Sequence, residues 1–192
     1  MPQQDLLLLE EMFAPIAAKL DAAYAVHRLY AAKDADALLA EIGPRVRAVV
    51  TGGGTGVPPA VAERLPALEI VAINGIGTDA VDLPAMRARG VRVTTTPGVL
   101  TDDVADLAMG LLIATLRRLV GGDRRVRAGL WPQGDFPLAH KVSGKRLGIL
   151  GLGRIGRAIA RRAEPFGMSI AYTDIKPFSD VTYRFEPDLV KL

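Results

Sequence analysis

One stretch of the 192-residue chain decides its fold: residues 145–156 read KRLGILGLGRIG. The apolar run at 146–150 predicts a β-strand, and Gly151, Gly153 and Gly156 follow it at the spacing G-x-G-x-x-G. The first glycine permits a tight turn, the second lets a diphosphate approach the backbone, and the third lets the next helix pack closely on the strand. The pattern therefore predicts the start of a dinucleotide-binding fold.

The residues after this loop complete the predicted unit. An apolar stripe typical of a helix is formed by Ile155, Ala158, Ile159, Ala163 and Phe166. A second apolar run at 169–173 predicts a strand that ends in Asp174, 18 positions after Gly156. An acid that binds ribose is expected at a spacing of about 20 residues.

The acid also indicates which dinucleotide binds. A carboxylate at Asp174 accepts hydrogen bonds from the ribose hydroxyls of NAD and repels the 2′-phosphate of NADP. Because Ile175 follows it and not an arginine, we expect NAD, with Lys176 nearby leaving NADP as the alternative. The unpaired N–H groups at a helix start attract the diphosphate. The residues expected to bind the cofactor in this region are Gly151, Leu152, Gly153, Arg154, Ile155, Gly156, Asp174, Ile175 and Lys176.

Short β-rich runs alternate with helical stretches in the first half of the chain. Strands are predicted at residues 6–9, 25–29, 47–51, 70–73 and 91–95, and helices at 12–22, 35–42 and 58–65. This alternation predicts an α/β fold with a parallel sheet and a flavodoxin-like layout.

The middle of the chain is predicted to join two domains. Residues 103–119 are apolar on several faces, which is typical of a helix in a protein interior. Gly121 and Gly122 follow this helix, and the basic, broken segment from them through Gly134 is expected to form a connector. We place the domain boundary near residue 100, with one domain over residues 1–100 and a partial, doubly wound Rossmann domain over 101–192.

Composition excludes several classes of protein. Apolar residues make up 49% and charged residues 23% of the chain, which are values of a globular protein and not of a disordered one. The chain has no cysteine, which excludes disulfide scaffolds, zinc held by cysteine, iron–sulfur clusters and thiolate nucleophiles. His27 and His140 lie far apart in the sequence, so no metal site is expected.

Charge and hydropathy bear on partners and location. A net charge of +3, with paired arginines that lack interleaved aromatic residues, predicts solvated faces and no nucleic-acid partner. The most apolar helix candidate, residues 107–116, has about half the length needed to span a bilayer. No positive residue precedes the leucines at 6–9, so no secretory signal is expected. We therefore expect a cytoplasmic protein without a membrane partner.

With these motifs in place, the chain resembles the D-2-hydroxyacid dehydrogenase family, and within it the glyoxylate/hydroxypyruvate reductase branch, over essentially its whole length. Three blocks carry the resemblance in the family's order: NGIGTDAVD at residues 74–82, TPGVLTDDVAD at 96–106, and the glycine loop at 151–156. The resemblance implies a substrate domain, a nucleotide domain, and hydride transfer between NAD(P)H and a small 2-oxo acid in a homodimer.

The resemblance also implies site residues. The loop at 74–77 is expected to offer backbone N–H groups to the substrate carboxylate, the loop at 52–54 to border the same pocket, and Thr101 to lie near the nicotinamide. The substrate-binding residues are then Gly53, Asn74, Gly75, Ile76 and Gly77. The alternative is that these glycines only form strand-to-helix turns. Many NADP-preferring members carry Ser or Asn followed by Arg at the positions of Asp174 and Ile175.

The family's catalytic arginine, glutamate and histidine lie beyond the position that matches Leu192, so no catalytic residue is expected in this chain and no turnover from its 192 residues alone. Residues 185–192 are expected to open a further helix that is cut part-way. The two histidines are expected at packing or surface positions, and Trp131 at an interface. The alternative functions are a non-catalytic dinucleotide-sensing or corepressor-like module and an inactive fragment.

Overall fold

A computed structural model describes residues 3–192, which form two compact units that divide between Pro97 and Gly98. The first unit contains a parallel sheet of five strands. They are β1 (Asp5–Leu8), β2 (Ala25–Arg28), β3 (Ala48–Gly52), β4 (Ile70–Asn74) and β5 (Arg92–Thr94). Their spatial order, β2-β1-β3-β4-β5, is the flavodoxin-like order, so the predicted fold class of this unit is confirmed.

The leucines of β1 explain why this strand lies inside the sheet. Leu6, Leu7 and Leu8 are all buried, with at most 2% of each side chain exposed. Leu7 packs in one apolar cluster, and Leu6 and Leu8 pack in a second cluster. A strand with both faces covered needs a continuous apolar run, because alternating residues point to opposite faces.

Four helices connect the strands of the first unit: α1 (Ala14–Ala23), α2 (Ala35–Ile42), α3 (Pro59–Ala62) and α4 (Leu83–Ala88). The helix predicted over residues 58–65 is therefore shorter than expected. After Ala62 the backbone continues with the tighter hydrogen bonds of a turn, such as Leu65 N–H to the Ala62 carbonyl at 3.2 Å. Leu65 precedes a proline, and a residue before proline is disfavoured in the helical conformation.

The second unit begins its sheet with β6 (Arg146–Leu150), followed by α7 (Arg154–Ala163), β7 (Ser169–Thr173) and β8 (Arg184–Phe185). The three strands are parallel and lie in the order β6-β7-β8. This order is the first half of the doubly wound Rossmann sheet. The predicted Rossmann fold class of this unit is thus confirmed for the part that the chain contains.

Two helices precede this sheet, α5 (Thr101–Leu116) and α6 (Leu119–Arg127). The expectation of one helix to residue 119 followed by a broken connector from Gly121 is wrong, because α5 ends at Leu116 and α6 runs through Gly121 and Gly122. The break lies at Arg118, whose φ of 54° is left-handed. Gly122 N–H bonds to the Arg118 carbonyl at 3.0 Å as an ordinary helical residue. A single helical turn, Trp131–Gln133, interrupts the irregular segment that follows.

One face of α5 packs on α7. Met109 joins Ala163 and Met168 in an apolar cluster, and Arg162 of α7 forms ion pairs with Asp106 at 2.5 Å and Asp102 at 2.9 Å. The opposite face is exposed, so the expectation of a helix buried all round is wrong for the single chain. Its apolar side chains at this face are Val104, Leu107 and Leu111.

The last residues form less helix than predicted. Phe185 belongs to β8, and helical backbone is confined to one turn, Leu189–Lys191, which the Asp188 carboxylate caps by accepting the Val190 N–H at 3.0 Å. Within residues 3–192, no helix combines the length and apolar character needed to cross a membrane.

Candidate functional site

Two glycine loops meet at the carboxyl ends of β3 and β4. Gly52 and Asn74 are register partners at the ends of these strands. A Cβ added at Gly53 would lie 2.9 Å from the Gly77 carbonyl oxygen, which is closer than real Cβ contacts. Gly75 has a φ of +156°, a conformation that side-chain-bearing residues rarely adopt. These glycines let the two loops approach each other.

The second loop has the features of an anion site. Among residues 3–192, nothing accepts a hydrogen bond from the N–H groups of Ile76 or Gly77. The Gly75 carbonyl holds the loop in place by accepting the Thr96 N–H at 2.8 Å and the Thr96 hydroxyl at 3.2 Å. Consecutive backbone N–H groups without acceptors form a concavity that attracts negative charge. Asn74 points elsewhere, because its amide donates to the Met12 sulfur at 3.7 Å.

A carboxylate that the sequence analysis missed lies beside these loops. Glu10 follows β1 closely and is half-buried. Its carboxylate occupies the space over Gly52, where an added Cβ would overlap it, and it accepts the Thr55 hydroxyl. The one available indication in the sequence was a charged residue directly after an apolar strand, since the carboxyl ends of parallel strands meet at one edge.

In the second unit, each glycine of the loop between β6 and α7 has a different environment. Gly151 has a φ of +87°, which favours glycine. A Cβ at Gly156 would overlap the Gly151 carbonyl oxygen and lie 3.2 Å from Ile149 Cγ2. A Cβ at Gly153 would meet nothing within 4 Å. The loop is therefore tight on its inner side and open at Gly153.

The start of α7 offers N–H groups to a ligand. The first two residues of the helix, Arg154 and Ile155, have N–H groups without an acceptor in the part of the chain that the structure describes. The first N–H groups of any helix lack a partner within it and carry the positive end of its dipole. Together with the open side of Gly153, they can bind a diphosphate.

Asp174 lies where the sequence places it, at the end of β7, and has an additional role. Its Oδ2 accepts the Leu152 N–H at 2.8 Å, and its Oδ1 accepts the Ile175 N–H at 2.8 Å. The carboxylate therefore fixes the glycine loop and keeps lone pairs for a ribose hydroxyl. Ile175 is 98% exposed, and Lys176 is also exposed, so neither side chain packs in the loop.

Arg157 holds the outer side of the loop. Its Nε donates to the Leu152 carbonyl at 3.2 Å, and its two terminal nitrogens bind Asp180 at 2.8 and 3.0 Å. The guanidinium lies 4.7 Å from the centre of the Phe178 ring. The hydrogen bond to Asp180 raises the pKa of Arg157 and lowers the pKa of Asp180, so both groups stay charged. The sequence did not indicate this contact.

Thr101, the remaining candidate, begins α5. Its hydroxyl is buried and has no hydrogen-bond partner within residues 3–192. A buried hydroxyl without a partner is costly, and a ligand amide is one group that would satisfy it. The residues of the second unit thus fit a dinucleotide: a tight glycine turn, unpaired N–H groups, an acid at the ribose position and an orphaned hydroxyl.

Comparisons with known proteins agree with this geometry. A family described as "D-isomer specific 2-hydroxyacid dehydrogenase, NAD binding domain" matches residues 109–191. The chain is 39% identical over 188 residues to a 2-ketogluconate reductase of Gluconobacter oxydans. This match covers 98% of the chain and 59% of that relative.

Solved structures give the same result. A 2-hydroxyacid dehydrogenase from Ketogulonicigenium vulgare matches with a TM-score of 0.94 and 45% identity, covering 100% of this chain and 61% of that one. An NADPH-dependent glyoxylate/hydroxypyruvate reductase from Sinorhizobium meliloti, solved with NADP and malonate, matches with a TM-score of 0.87 and 38% identity, covering 98% of this chain and 59% of that one. The chain therefore spans about three fifths of the length of these proteins.

Proposed function

Because the chain belongs to the D-2-hydroxyacid dehydrogenase family, we propose that its protein is an oxidoreductase that transfers a hydride between NAD(P)H and a small 2-oxo acid. The relative from Sinorhizobium meliloti acts on glyoxylate and hydroxypyruvate, and we propose substrates of the same type here. The observation that carries this proposal is the glycine loop with unpaired N–H groups at Arg154 and Ile155, fixed by Asp174.

The two units supply different binding functions in this proposal. In the first unit, the N–H groups of Ile76 and Gly77 bind the substrate carboxylate. Because Gly53 has no side chain, the neighbouring loop does not block the substrate from these N–H groups. In the second unit, Gly153, Arg154 and Ile155 bind the diphosphate of the cofactor. The bound nicotinamide supplies the hydride, while the protein positions the reactants and stabilises charge.

We propose that NADH is preferred over NADPH. The Asp174 carboxylate accepts ribose hydroxyls and repels a 2′-phosphate, and the exposed Ile175 offers no positive charge to offset that repulsion. Titrations of the full-length protein should give tighter binding of NADH than of NADPH. The double variant Asp174→Ser with Ile175→Arg should reverse the order, and tighter NADPH binding by the wild type would refute the preference.

Turnover by the full-length protein tests the enzymatic proposal. Glyoxylate or hydroxypyruvate added with NADH should give saturable oxidation of the cofactor, followed at 340 nm. If NADH binds but none of the small 2-oxo acids causes its oxidation, the proposed enzymatic activity is contradicted and a dinucleotide-sensing module is favoured.

We propose that the protein forms a homodimer through α5 and the segment after α6. Val104, Leu107 and Leu111 lie on one face of α5, at helical spacing, and the last two are 61% and 58% exposed. Trp131 is 71% exposed, and aromatic residues are enriched at protein interfaces. Light scattering of the full-length protein should give twice the monomer mass.

The remaining proposals concern location and other partners. We propose a cytoplasmic location without a nucleic-acid or membrane partner. Arg157 and Arg162 support the absence of nucleic acid, because each is already paired with carboxylates and the net charge is only +3. Cell fractionation tests the location, and binding to anionic vesicles or nucleic acid would contradict this proposal.

A further inference from the structure

The Glu10 carboxylate is placed beside the proposed anion loop by a glycine. Gly52 has no side chain, and the carboxylate fills the space that a Cβ would take. Thr55 donates its hydroxyl to Oε2 and fixes the orientation of the group. The position of this negative charge is therefore set by Gly52, the last residue of β3, and by Thr55 in the loop that follows.

One oxygen of this carboxylate has no partner among residues 3–192. Within residues 3–192, Oε1 of Glu10 accepts no hydrogen bond, and no cationic side chain forms an ion pair with the group. An ionised carboxylate accepts hydrogen bonds and donates none. Oε1, on a half-buried side chain, therefore keeps its acceptor capacity for a ligand that carries a donor.

The loop geometry brings this acceptor near the proposed substrate. Gly52 and Gly53 are consecutive, so their Cα atoms are about 3.8 Å apart. Gly52 lies under the Glu10 carboxylate, and Gly53 lies against Gly77, where a Cβ would be 2.9 Å from the carbonyl oxygen. The Glu10 carboxylate and the loop that is proposed to bind the substrate carboxylate therefore lie against consecutive residues.

We infer that Glu10 is a specificity-determining residue, which favours 2-oxo acids with a hydroxylated tail and rejects those with a second carboxylate; this inference rests on the proposed function. A tail hydroxyl donates a charge-assisted hydrogen bond to Oε1. A second carboxylate at the same place meets a like charge in a partly desolvated position. Glyoxylate has no tail that could meet Glu10, so its reduction depends only on the parts of the site that all 2-oxo acids use.

The test is Glu10→Gln in the full-length protein, with Glu11→Gln as the matched control. The side chain of Glu11 is exposed and adjacent in sequence. The measured quantity is kcat/KM for hydroxypyruvate, pyruvate and 2-oxoglutarate, each divided by kcat/KM for glyoxylate. Glu10→Gln should raise the 2-oxoglutarate ratio at least tenfold and lower the preference for hydroxypyruvate over pyruvate, whereas Glu11→Gln should change neither.

Thr55→Val is a second variant that releases the carboxylate without removing it, and it should shift the same ratios in the same direction by a smaller factor. Ratios that stay within twofold of wild type in both variants, while glyoxylate is still reduced, would overturn the role of Glu10 alone. A wild-type protein that reduces none of the four acids would overturn the proposed function, and the inference with it.

Discussion

Alanine substitutions at two glycines of the loop between β6 and α7 should affect different properties: Gly153→Ala should weaken dinucleotide binding, and Gly156→Ala should lower stability. Gly153 has φ −73° and ψ −161°, an extended conformation that alanine adopts, and its Cβ would meet no atom within 4 Å. Gly153→Ala should therefore leave the fold unchanged or stabilise it by about 0.4–1 kcal/mol through the unfolded chain. The same Cβ occupies the open side where the diphosphate approaches, so affinity for NADH should fall at least tenfold, which is about 1.4 kcal/mol.

Gly156→Ala should instead destabilise the second unit. Its Cβ would overlap the Gly151 carbonyl and lie 3.2 Å from Ile149, so α7 must move away from β6. Overpacking of this kind costs about 1–3 kcal/mol. For a domain of this size, each kcal/mol lowers the unfolding midpoint by about 4–8 °C, which gives a fall of roughly 5–20 °C.

The assay for both variants combines thermal unfolding by circular dichroism with titration of NADH followed by its fluorescence. Gly153→Ala should unfold at or slightly above the wild-type midpoint and bind NADH more weakly. Gly156→Ala should unfold at a lower temperature than wild type. Wild-type affinity in Gly153→Ala would refute diphosphate binding at the loop. An unchanged midpoint in Gly156→Ala would refute the close packing of helix on strand.

Three further substitutions test other parts of the account. Tyr172→Phe should lower the midpoint by about 5–15 °C, because the buried hydroxyl accepts the Phe178 N–H at 2.7 Å and leaving that N–H unpaired costs about 1–2 kcal/mol; an unchanged midpoint would contradict the contact. Burial raises the pKa of Asp5, but hydrogen bonds from His27 and Arg45 outweigh it and leave that pKa lowered. A carboxyl whose pKa is lowered by folding contributes stability at pH values above its usual pKa, which is near 3.9 for aspartate. This stability is lost as the pH falls from that value through the lowered pKa of the folded state. Asp5→Asn should thus be destabilised at pH 7, with the difference from wild type shrinking below about pH 4 in denaturant titrations; a difference independent of pH would contradict it. Leu111→Arg should give a monomer by light scattering, and a persistent dimer would move the interface elsewhere.

The sequence predicts the strands and the glycine loop well because both are local patterns. The apolar runs at 146–150 and 169–173 match β6 and β7 residue for residue, and the helix at 35–42 matches α2. Gly121 and Gly122 show the limit of such reasoning. Glycine permits a helix to end but does not require it, and here the left-handed residue is Arg118.

The contacts that build the candidate sites are not predictable in the same way. Asp174 binds the Leu152 N–H across 22 residues, and Thr55 binds Glu10 across 45. Such contacts depend on how strands are ordered in the sheet, and that order is fixed by packing of the whole unit. The position of Asp174 after a strand is visible in the sequence, but its hold on the loop is not.

Backbone amide signals of ¹⁵N-labelled protein, followed during titration with NADH, test most directly whether the start of α7 binds the dinucleotide. The amides of Gly153, Arg154 and Ile155 should shift saturably, because the last two have no acceptor among residues 3–192 and Gly153 is open to the ligand. Saturable shifts at other amides, with these three unchanged, would contradict the account.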